Sequence, residues 1–348
     1  MSAIWGEIQK NGQVSNGKEQ EIEESLSKYC IDRIHSIQEE NILVGCGIQF
    51  VTKEAEAEQL PQKRDGFYYT ADVMIDNREQ LLKELGLEKD APDGEILFGA
   101  FLKWKEQMVD HVIGIFSAVF YHPQTECVWI FTDHTGSRCI NYCIEDDNIY
   151  FSTTIEPIIK MRRRKTEICK KWLVACASNC SADLYLYESL TPFKDIYQLE
   201  AGHYLKIEKG KVQKVQYWNP KKLPKLRVSD EEALQLFRDT FEQCIKDVLR
   251  SNGNTGITLS SGLDSTSVAC VAARILKEKG QVLHSYTAVP LKEFVGNGDS
   301  SQIINEEAGV RVLAKDYDNI DMSFLECRGK DAISDLERLV PILECPYK

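Results

Sequence analysis

The chain of 348 residues has no apolar run approaching the length of a membrane span, which argues against a helical membrane protein. Its N-terminus, MSAIWGEIQKNG, lacks the basic start and apolar core of a signal peptide, so a cytoplasmic location is expected. Positive charge is also short. The 42 Lys and Arg face 54 Asp and Glu, and the net charge of −12 argues against nucleic acid or an anionic membrane as partner. The one basic run, Arg162-Arg163-Arg164-Lys165, reads as a solvated connection. No G-x-x-x-x-G-K-[ST] loop occurs, which excludes a Walker A phosphate site. The 12 cysteines never form C-x-x-C, and the close pairs Cys139/Cys143 and Cys176/Cys180 have no His at zinc-site spacing. They read as reduced, mostly buried small hydrophobes, with a structural disulfide or metal as the alternative. Internal repeats and low-complexity segments are absent.

What is present centres on Gly256–Thr266, GITLSSGLDST. Ile257, Thr258 and Leu259 are β-formers after the turn at Asn252–Gly256. Ser260, Ser261 and Gly262 carry nothing bulky enough to block close backbone approach. From Ser265 the apolar spacing turns helical, with Val268, Val271, Ala272, Ile275 and Leu276 on one face. A strand, a small-residue loop and a helix N-terminus make an anion site, because the first helical N–H groups point outward and the dipole favours negative charge. Ser260, Ser265 and Thr266 add hydroxyl donors. Asp264 is a carboxylate inside a phosphate site, which makes sense mainly if it holds Mg²⁺. The blander reading is an ordinary strand-to-helix turn with a capping Asp.

The length allows two domains with real cores, and 43% hydrophobic with 28% charged residues is a soluble globular composition. Residues 1–218 look β-rich. Short β-prone runs fall at Val44–Val51, Phe67–Val73, Ile115–Tyr121, Val128–Thr132 and Ile149–Ser152, with helical patterns at Glu79–Leu85 and Glu95–Met108. Runs of strands with a few helices predict an α+β domain of stacked antiparallel sheets flanked by helices. Trp218–Val228, with two prolines and four basic residues, reads as a linker, so 219–229 separate the domains. Ser229 with Glu232 forms a capping box for a helix whose buried face is Phe237, Phe241, Ile245 and Val248. A strand at Val282–Val289, a helix at about Ile303–Leu313 and a strand at Ile320–Leu325 follow. Residues 230–348 thus alternate β and α, which predicts an α/β parallel sheet with ligands at the C-terminal ends of its strands.

The loop Ser260–Thr266 resembles the S-G-G-[LI]-D-S-[ST] pyrophosphate loop of N-type ATP pyrophosphatases, most closely that of asparagine synthetases, with Ser261 in place of the first Gly. The N-terminal half is similar to the glutamine amidotransferase domain of the same family. Met1-Ser2-Ala3-Ile4-Trp5-Gly6 matches its start, and Ala71–Leu81 matches its strand ending in N-x-x-x-L. Asp93-Gly94-Glu95, Gly114–Ser117, Thr132–Gly136, Phe151–Pro157, Glu200–Tyr204 and Tyr217-Trp218 match later motifs in order. The resemblance covers essentially the whole chain.

Departures from the family pattern carry the functional expectation. The family nucleophile is a Cys after Met1; here it is Ser2. A terminal Ser can attack if its own amine is the base, although Ser2 reads more simply as part of an edge strand. The family's oxyanion-stabilising Asn-Gly falls on Asp72-Val73, and a carboxylate facing an oxyanion repels it. The R-G-P-D segment with the glutamine-binding Arg is missing between Cys46 and Asp65. Asp93 remains, but alone it binds nothing. The resemblance therefore implies an amidotransferase-like domain without glutaminase activity, as in the Cys-less β-lactam synthetases and lasso-peptide macrolactam synthetases. The opening M-S-A-I-x-G looks most like the lasso-peptide type.

By the same resemblance the chemistry is carboxylate adenylation by ATP followed by attack of an amine. Leu259, Ser260, Ser261, Gly262, Leu263, Asp264, Ser265 and Thr266 would hold the pyrophosphate, with Mg²⁺ on Asp264. The backbone of Thr287 and Ala288 would lie along the adenine. Glu306 or Glu307 matches an acidic family position, or is a carboxylate favoured at a helix N-terminus. The family's second loop, S-G-x-G-x-D-E, with its general base and second metal-binding Asp, is not found between Thr266 and Lys348, nor is the adenylate-stabilising Lys. No catalytic residue is therefore assigned, the general base is expected beyond Lys348, and the synthetase domain reads as its front part. The expected substrate is a small molecule or peptide bearing a carboxylate. The lasso-peptide type also implies a precursor peptide and peptide-processing proteins as partners. The alternatives are an ammonia-using asparagine synthase and an inactive nucleotide-binding module; the oligomeric state is not legible.

Overall fold

The strand β1 (Ala3–Ile8) is buried along its whole length, and its one tryptophan sets how closely the next strand can pack. Trp5 pairs directly with Gly45 on the neighbouring antiparallel strand. The fully buried indole of Trp5 lies where a Cβ at Gly45 would stand, 2.0 Å from its nearest ring atom, so only glycine fits there. The computed structural model describes residues 3–10, 12–14, 17–178, 189–294, 304–329 and 333–344. It divides into two units, one of Met1–Phe50, Glu54–Pro224 and Val340–Lys348, the other of Val51–Lys53 and Lys225–Leu339.

The first unit continues with α1 (Lys18–Leu26), β2 (Arg33–Glu39), β3 (Ile42–Ile48), β4 (Gln62–Arg64), β5 (Phe67–Ile75), α2 (Arg78–Leu85) and α3 (Asp93–Trp104). Next come β6 (Gly114–His122), β7 (Cys127–Thr132), β8 (Asn141–Glu145), β9 (Asn148–Ser152), α4 (Ile155–Met161) and α5 (Lys170–Ala177). The short β10 (Tyr197–Gln198) and the hairpin of β11 (His203–Glu208) and β12 (Lys211–Gln216) complete it. The strands form two six-stranded antiparallel sheets, in the orders β10-β8-β9-β1-β3-β2 and β12-β11-β7-β6-β5-β4. Ile4, Ile8 and Val44 from one sheet share a core with Val119, Val128 and Ile130 from the other. Outside the first sheet, Ile22 and Leu26 of α1 and Ile158 of α4 pack on Trp5, Leu43 and Tyr150. Outside the second, Phe98 and Phe101 of α3 stack on Tyr69 and Phe120. The result is helix, sheet, sheet, helix, the α+β architecture expected.

Two differences from the sequence reading are instructive. The helix expected over Glu95–Met108 starts earlier, at Asp93, and gives way after Trp104 to a 3-10 turn over Lys105–Asp110. The break is at Lys105, whose φ of 54° is left-handed and cannot continue an α-helix. The cysteines are not mostly buried. Among the described residues ten are free thiols, of which only Cys46, Cys127 and Cys143 are buried.

The second unit contains α6 (Asp230–Val248), β13 (Thr255–Thr258), α7 (Leu263–Glu278), β14 (Leu283–Val289), α8 (Glu307–Arg311) and β15 (Ile320–Glu326). The three strands are parallel in the order β13-β14-β15. Ser229 and Glu232 form the capping box of α6. Its face is not buried as expected. Ile245 is buried and Phe241 half-buried, but Phe237 and Val248 are exposed, at 64% and 59%. Among the described residues the helix packs on α7 in its C-terminal half, where Ile245 joins the core of this unit and Arg274 reaches Glu242, which leaves Phe237 uncovered two turns earlier; Val248 is exposed despite its place in the last turn. The helix expected over about Ile303–Leu313 is a single turn, Glu307–Arg311, followed by a 3-10 turn over Val312–Lys315; Ile303 lies outside the described residues. A last helix, α9 (Leu336–Leu343), carries Pro341. No helix among the described residues is long and apolar enough to cross a membrane.

Candidate functional site

The strand-loop-helix at residues 256–266 is built as an anion cradle. β13 ends at Thr258, and Gly262, with an extended backbone, is the N-cap of α7. The loop is held by its own hydroxyls. Ser260 Oγ and Ser265 Oγ are 2.8 Å apart, the Gly262 amide donates to Ser260 Oγ at 3.2 Å, and Thr266 Oγ1 donates to the Gly262 carbonyl at 2.6 Å. The expected hydroxyl donors are thus spent on loop shape. That leaves the backbone amides of the first helical turn, Leu263 and Asp264 among them, which have no intrahelical acceptor. The side chains of Leu263 and Asp264 are exposed. Leu259 is buried and anchors the loop, its amide donating to the Tyr286 carbonyl at 2.9 Å and its carbonyl accepting from Thr287 Oγ1 at 2.8 Å.

Those two bonds place β14 beside the loop. The ladder with β13 stops at the Thr258–Tyr286 pair. Strand alternation turns the N–H and C=O of Ala288 the same way as those of Tyr286, toward the loop, and those of Thr287 toward β15. Of the two expected adenine contacts, only Ala288 therefore offers its backbone on the loop side. Gly309 of α8 packs against the loop from another direction: a Cβ built on it would lie 2.7 Å from Ser261 Cβ. Glu306 is the N-cap of α8, while Glu307 is committed to Arg311 at 2.7 Å.

The amidotransferase-like positions lie in the first unit, and Ser2 is outside the described residues. Asp72 and Val73 are near the end of β5, with Asp72 opposite Ser117 of β6. Asp72 is only 3% exposed, and Val73 is half-buried. The Nε of Arg138 stands 3.4 Å from Asp72 Oδ2. Arg138 is aimed there by a turn that folds around Asp133. The Asp133 carboxylate accepts the amides of Thr135, Ser137 and Arg138 at 2.9, 3.1 and 2.8 Å. Asp93 opens α3, and its Oδ2 accepts the Ile75 amide at 3.0 Å. Its other oxygen is paired with Arg78 Nη1, both side chains under a tenth exposed, and Arg78 also donates to the Ala91 carbonyl at 2.8 Å. A third carboxyl, Glu58, accepts the amides of Gly94 and Gln59 at 2.8 and 3.1 Å. Burial pushes it up to about 7 despite those two bonds.

Arg78, Arg138 and Glu58 were invisible as site residues in the sequence. Each reaches its partner across 15, 66 or 36 positions, with no spacing rule to announce the contact. Asp133 had a signal of its own, a T-D-x-T-G turn.

Residues 52–218 match the family model of the glutamine amidotransferase domain and residues 236–347 that of asparagine synthase. An asparagine synthetase (glutamine-hydrolysing) of Bacillus subtilis is 26% identical over 61% of this chain and 34% of its own length. The amidase chyE of Penicillium rubens is 24% identical over 76% of this chain and 40% of its own. The solved glutamine phosphoribosylpyrophosphate amidotransferase of B. subtilis superposes with a TM-score of 0.46 at 10% identity, covering 99% of this chain and 93% of that one. The chain spans between about a third and two fifths of the length of the curated relatives it matches. With the two domain models matched in sequence order and synthetases among the relatives, the chain belongs to the asparagine synthetase family.

Proposed function

We propose that this protein is an ATP-dependent amide-forming ligase in which the amidotransferase-like domain is silent, and that the amine comes from the substrate itself, as in lasso-peptide cyclases. One observation carries the silent-domain reading: each carboxylate left at the old glutamine site has an arginine of this chain beside it, Asp93 hydrogen-bonded to Arg78 and Asp72 with the Nε of Arg138 at 3.4 Å. A carboxylate whose charge is already opposed by an arginine beside it attracts a substrate ammonium weakly. Asp72 also places an acceptor where an oxyanion needs a donor.

The synthetase side is supported by the pre-shaped loop. Its amides and the dipole of the sixteen-residue α7 favour a pyrophosphate leaving group. Ser260, Ser265 and Thr266 hold the loop rigid, so little reorganisation accompanies binding. The donor chemistry at Asp264 fits Mg²⁺, a hard cation usually held by one or two carboxylates together with substrate phosphates. Among the described residues no group of three His, Cys, Asp or Glu could hold a metal without such phosphates. When bound, the cation would neutralise charge on the polyphosphate. The substrate is then a carboxylate-bearing small molecule or peptide, with a precursor peptide and peptide-processing proteins as partners in a cytoplasmic setting. The relatives named asparagine synthetase (glutamine-hydrolysing) support a second reading, asparagine synthesis, in which a silent amidotransferase domain would leave ammonia as the nitrogen source. Neither reading needs glutamine hydrolysis.

Incubation with glutamine is expected to release no ammonia above a protein-free control. Mg²⁺-ATP is expected to stabilise the chain against heat, and Asp264→Ala to remove the Mg²⁺-dependent part of that stabilisation while leaving the unliganded melting point in place. Ammonia release by the purified chain overturns the silent domain; unchanged Mg²⁺-ATP stabilisation in the variant overturns the role of Asp264.

A further inference from the structure

Asp72 is buried near one end of β5, and the two sheets of the first unit leave a cavity toward the other end. Along β6, four residues separate Ser117, opposite Asp72, from Tyr121, a distance of about 14 Å. Beside Tyr121 lies a half-open cavity of about 170 Å³ between the sheets. Its floor is aliphatic: Ile8 ends β1, Val128 lies in β7, Ile149 in β9 and Ile207 in β11. Its mouth is charged. Lys10 and Asp147 pair there at 2.7 Å, and Glu126 stands at the same opening. Glu126 is presented by a turn with a left-handed φ of 51° and has no ion-pair partner among the described residues. Lys10 also feels the charge of Glu126, so the mouth sets one cation against two carboxylates and is net negative.

Size, lining and charge together specify a guest. An apolar cavity of about 150 Å³ accommodates a benzene-sized molecule. A site with an apolar body and a few polar groups at one end is the usual form of a small-molecule pocket. The net charge of the three ionised groups at this mouth is negative. We propose that the cavity binds a small primary amine carrying one aromatic or branched aliphatic group, with the apolar group between the sheets and the ammonium at Glu126. The site is independent of the pyrophosphate loop and of the amidotransferase positions, none of which lines it.

Phenethylamine and its neutral counterpart 2-phenylethanol test this on the whole chain, by ligand-observed saturation-transfer NMR titration. Both are expected to bind, the amine about two- to fivefold more tightly, the scale of one exposed ion pair. Glu126→Gln is expected to erase that preference and leave the alcohol unchanged. Val128→Phe, which fills the cavity, is expected to abolish binding of both. Overpacking can unfold a sheet, so the exposed Glu126→Gln decides the matter by itself where Val128→Phe does not fold. Absence of binding by either probe, or an amine preference that survives Glu126→Gln, overturns the proposal.

Discussion

At the residue scale, two small groups set how much freedom the candidate sites have. Ser261 replaces the family's glycine in the pyrophosphate loop, and the structure shows how the extra side chain is tolerated: its neighbour on α8 is Gly309, with no Cβ. Adding one at Gly309 would bring two carbons to 2.7 Å, closer than real Cβ contacts allow, and Ser261 Cβ can yield only by moving the loop. Gly309→Ala is expected to introduce about 1–3 kcal/mol of overpacking, seen as weaker Mg²⁺-ATP stabilisation. Ser261→Gly in the same chain should restore it. A double variant no better than Gly309→Ala alone refutes the coupling. Glu58 is the second case. Its carboxyl, ordinarily near 4.5, is held at about 7 by burial, so it is protonated in the folded chain where the unfolded chain has lost the proton. The stability it contributes is fully present below about 4.5 and is lost as pH rises through about 7. At about 1.4 kcal/mol per unit of pKa difference the ceiling is about 3 kcal/mol. Glu58→Gln should flatten this decline, making the variant relatively more stable at pH 8 than at pH 5 in urea unfolding. An unchanged difference between the two pH values would show that Glu58 titrates normally.

At the scale of elements, what the sequence revealed and what it hid divide along a physical line. Strands such as β6 and β7 were legible because they are apolar on both faces, buried between a second sheet and α3, and bounded by turn residues such as His122 and Pro123. The capping box at Ser229 and Glu232 was legible because it is local, three residues apart. The loop at 256–266 was legible for the same reason: the hydroxyl bonds that hold its turn lie within six residues, although Tyr286, Thr287 and Gly309 brace it from further away. What could not be read were outcomes decided by distant neighbours. The apolar stripe of α6 is real in the sequence, yet Phe237 and Val248 are exposed because burial depends on what packs opposite, not on periodicity. The helix at Asp93 ended early because of a backbone angle at Lys105 that no propensity announces. The same holds for the arginines that close on Asp72 and Asp93. Their roles appear only when β5, α3 and the turn after β7 are brought together.

At the scale of the whole chain, the two units differ in how their surfaces are covered. In the first, each sheet has one face on the other sheet and one under helices, and its large aromatics are almost wholly buried. In the second, parallel strands that are normally covered on both faces bury only one. Leu283, Ser285 and Thr287 of β14 are buried, but Tyr286 and Ala288, on the opposite face, are exposed. Local opening is cheapest where few apolar contacts must break, so the second unit should open more readily. Between the units, Leu223 to Ser229 forms no element and is exposed throughout, and Lys221, Lys222, Lys225 and Arg227 all lie in or beside it. Limited trypsin digestion should therefore cut first within 221–227, then within residues 230–339, while the fragment ending near the linker persists. Mass spectrometry of the earliest peptides checks the order. First cuts inside β5, β6 or β7, or a second unit that outlasts the first, would mean that covering both faces of a sheet does not set the order of opening in this chain.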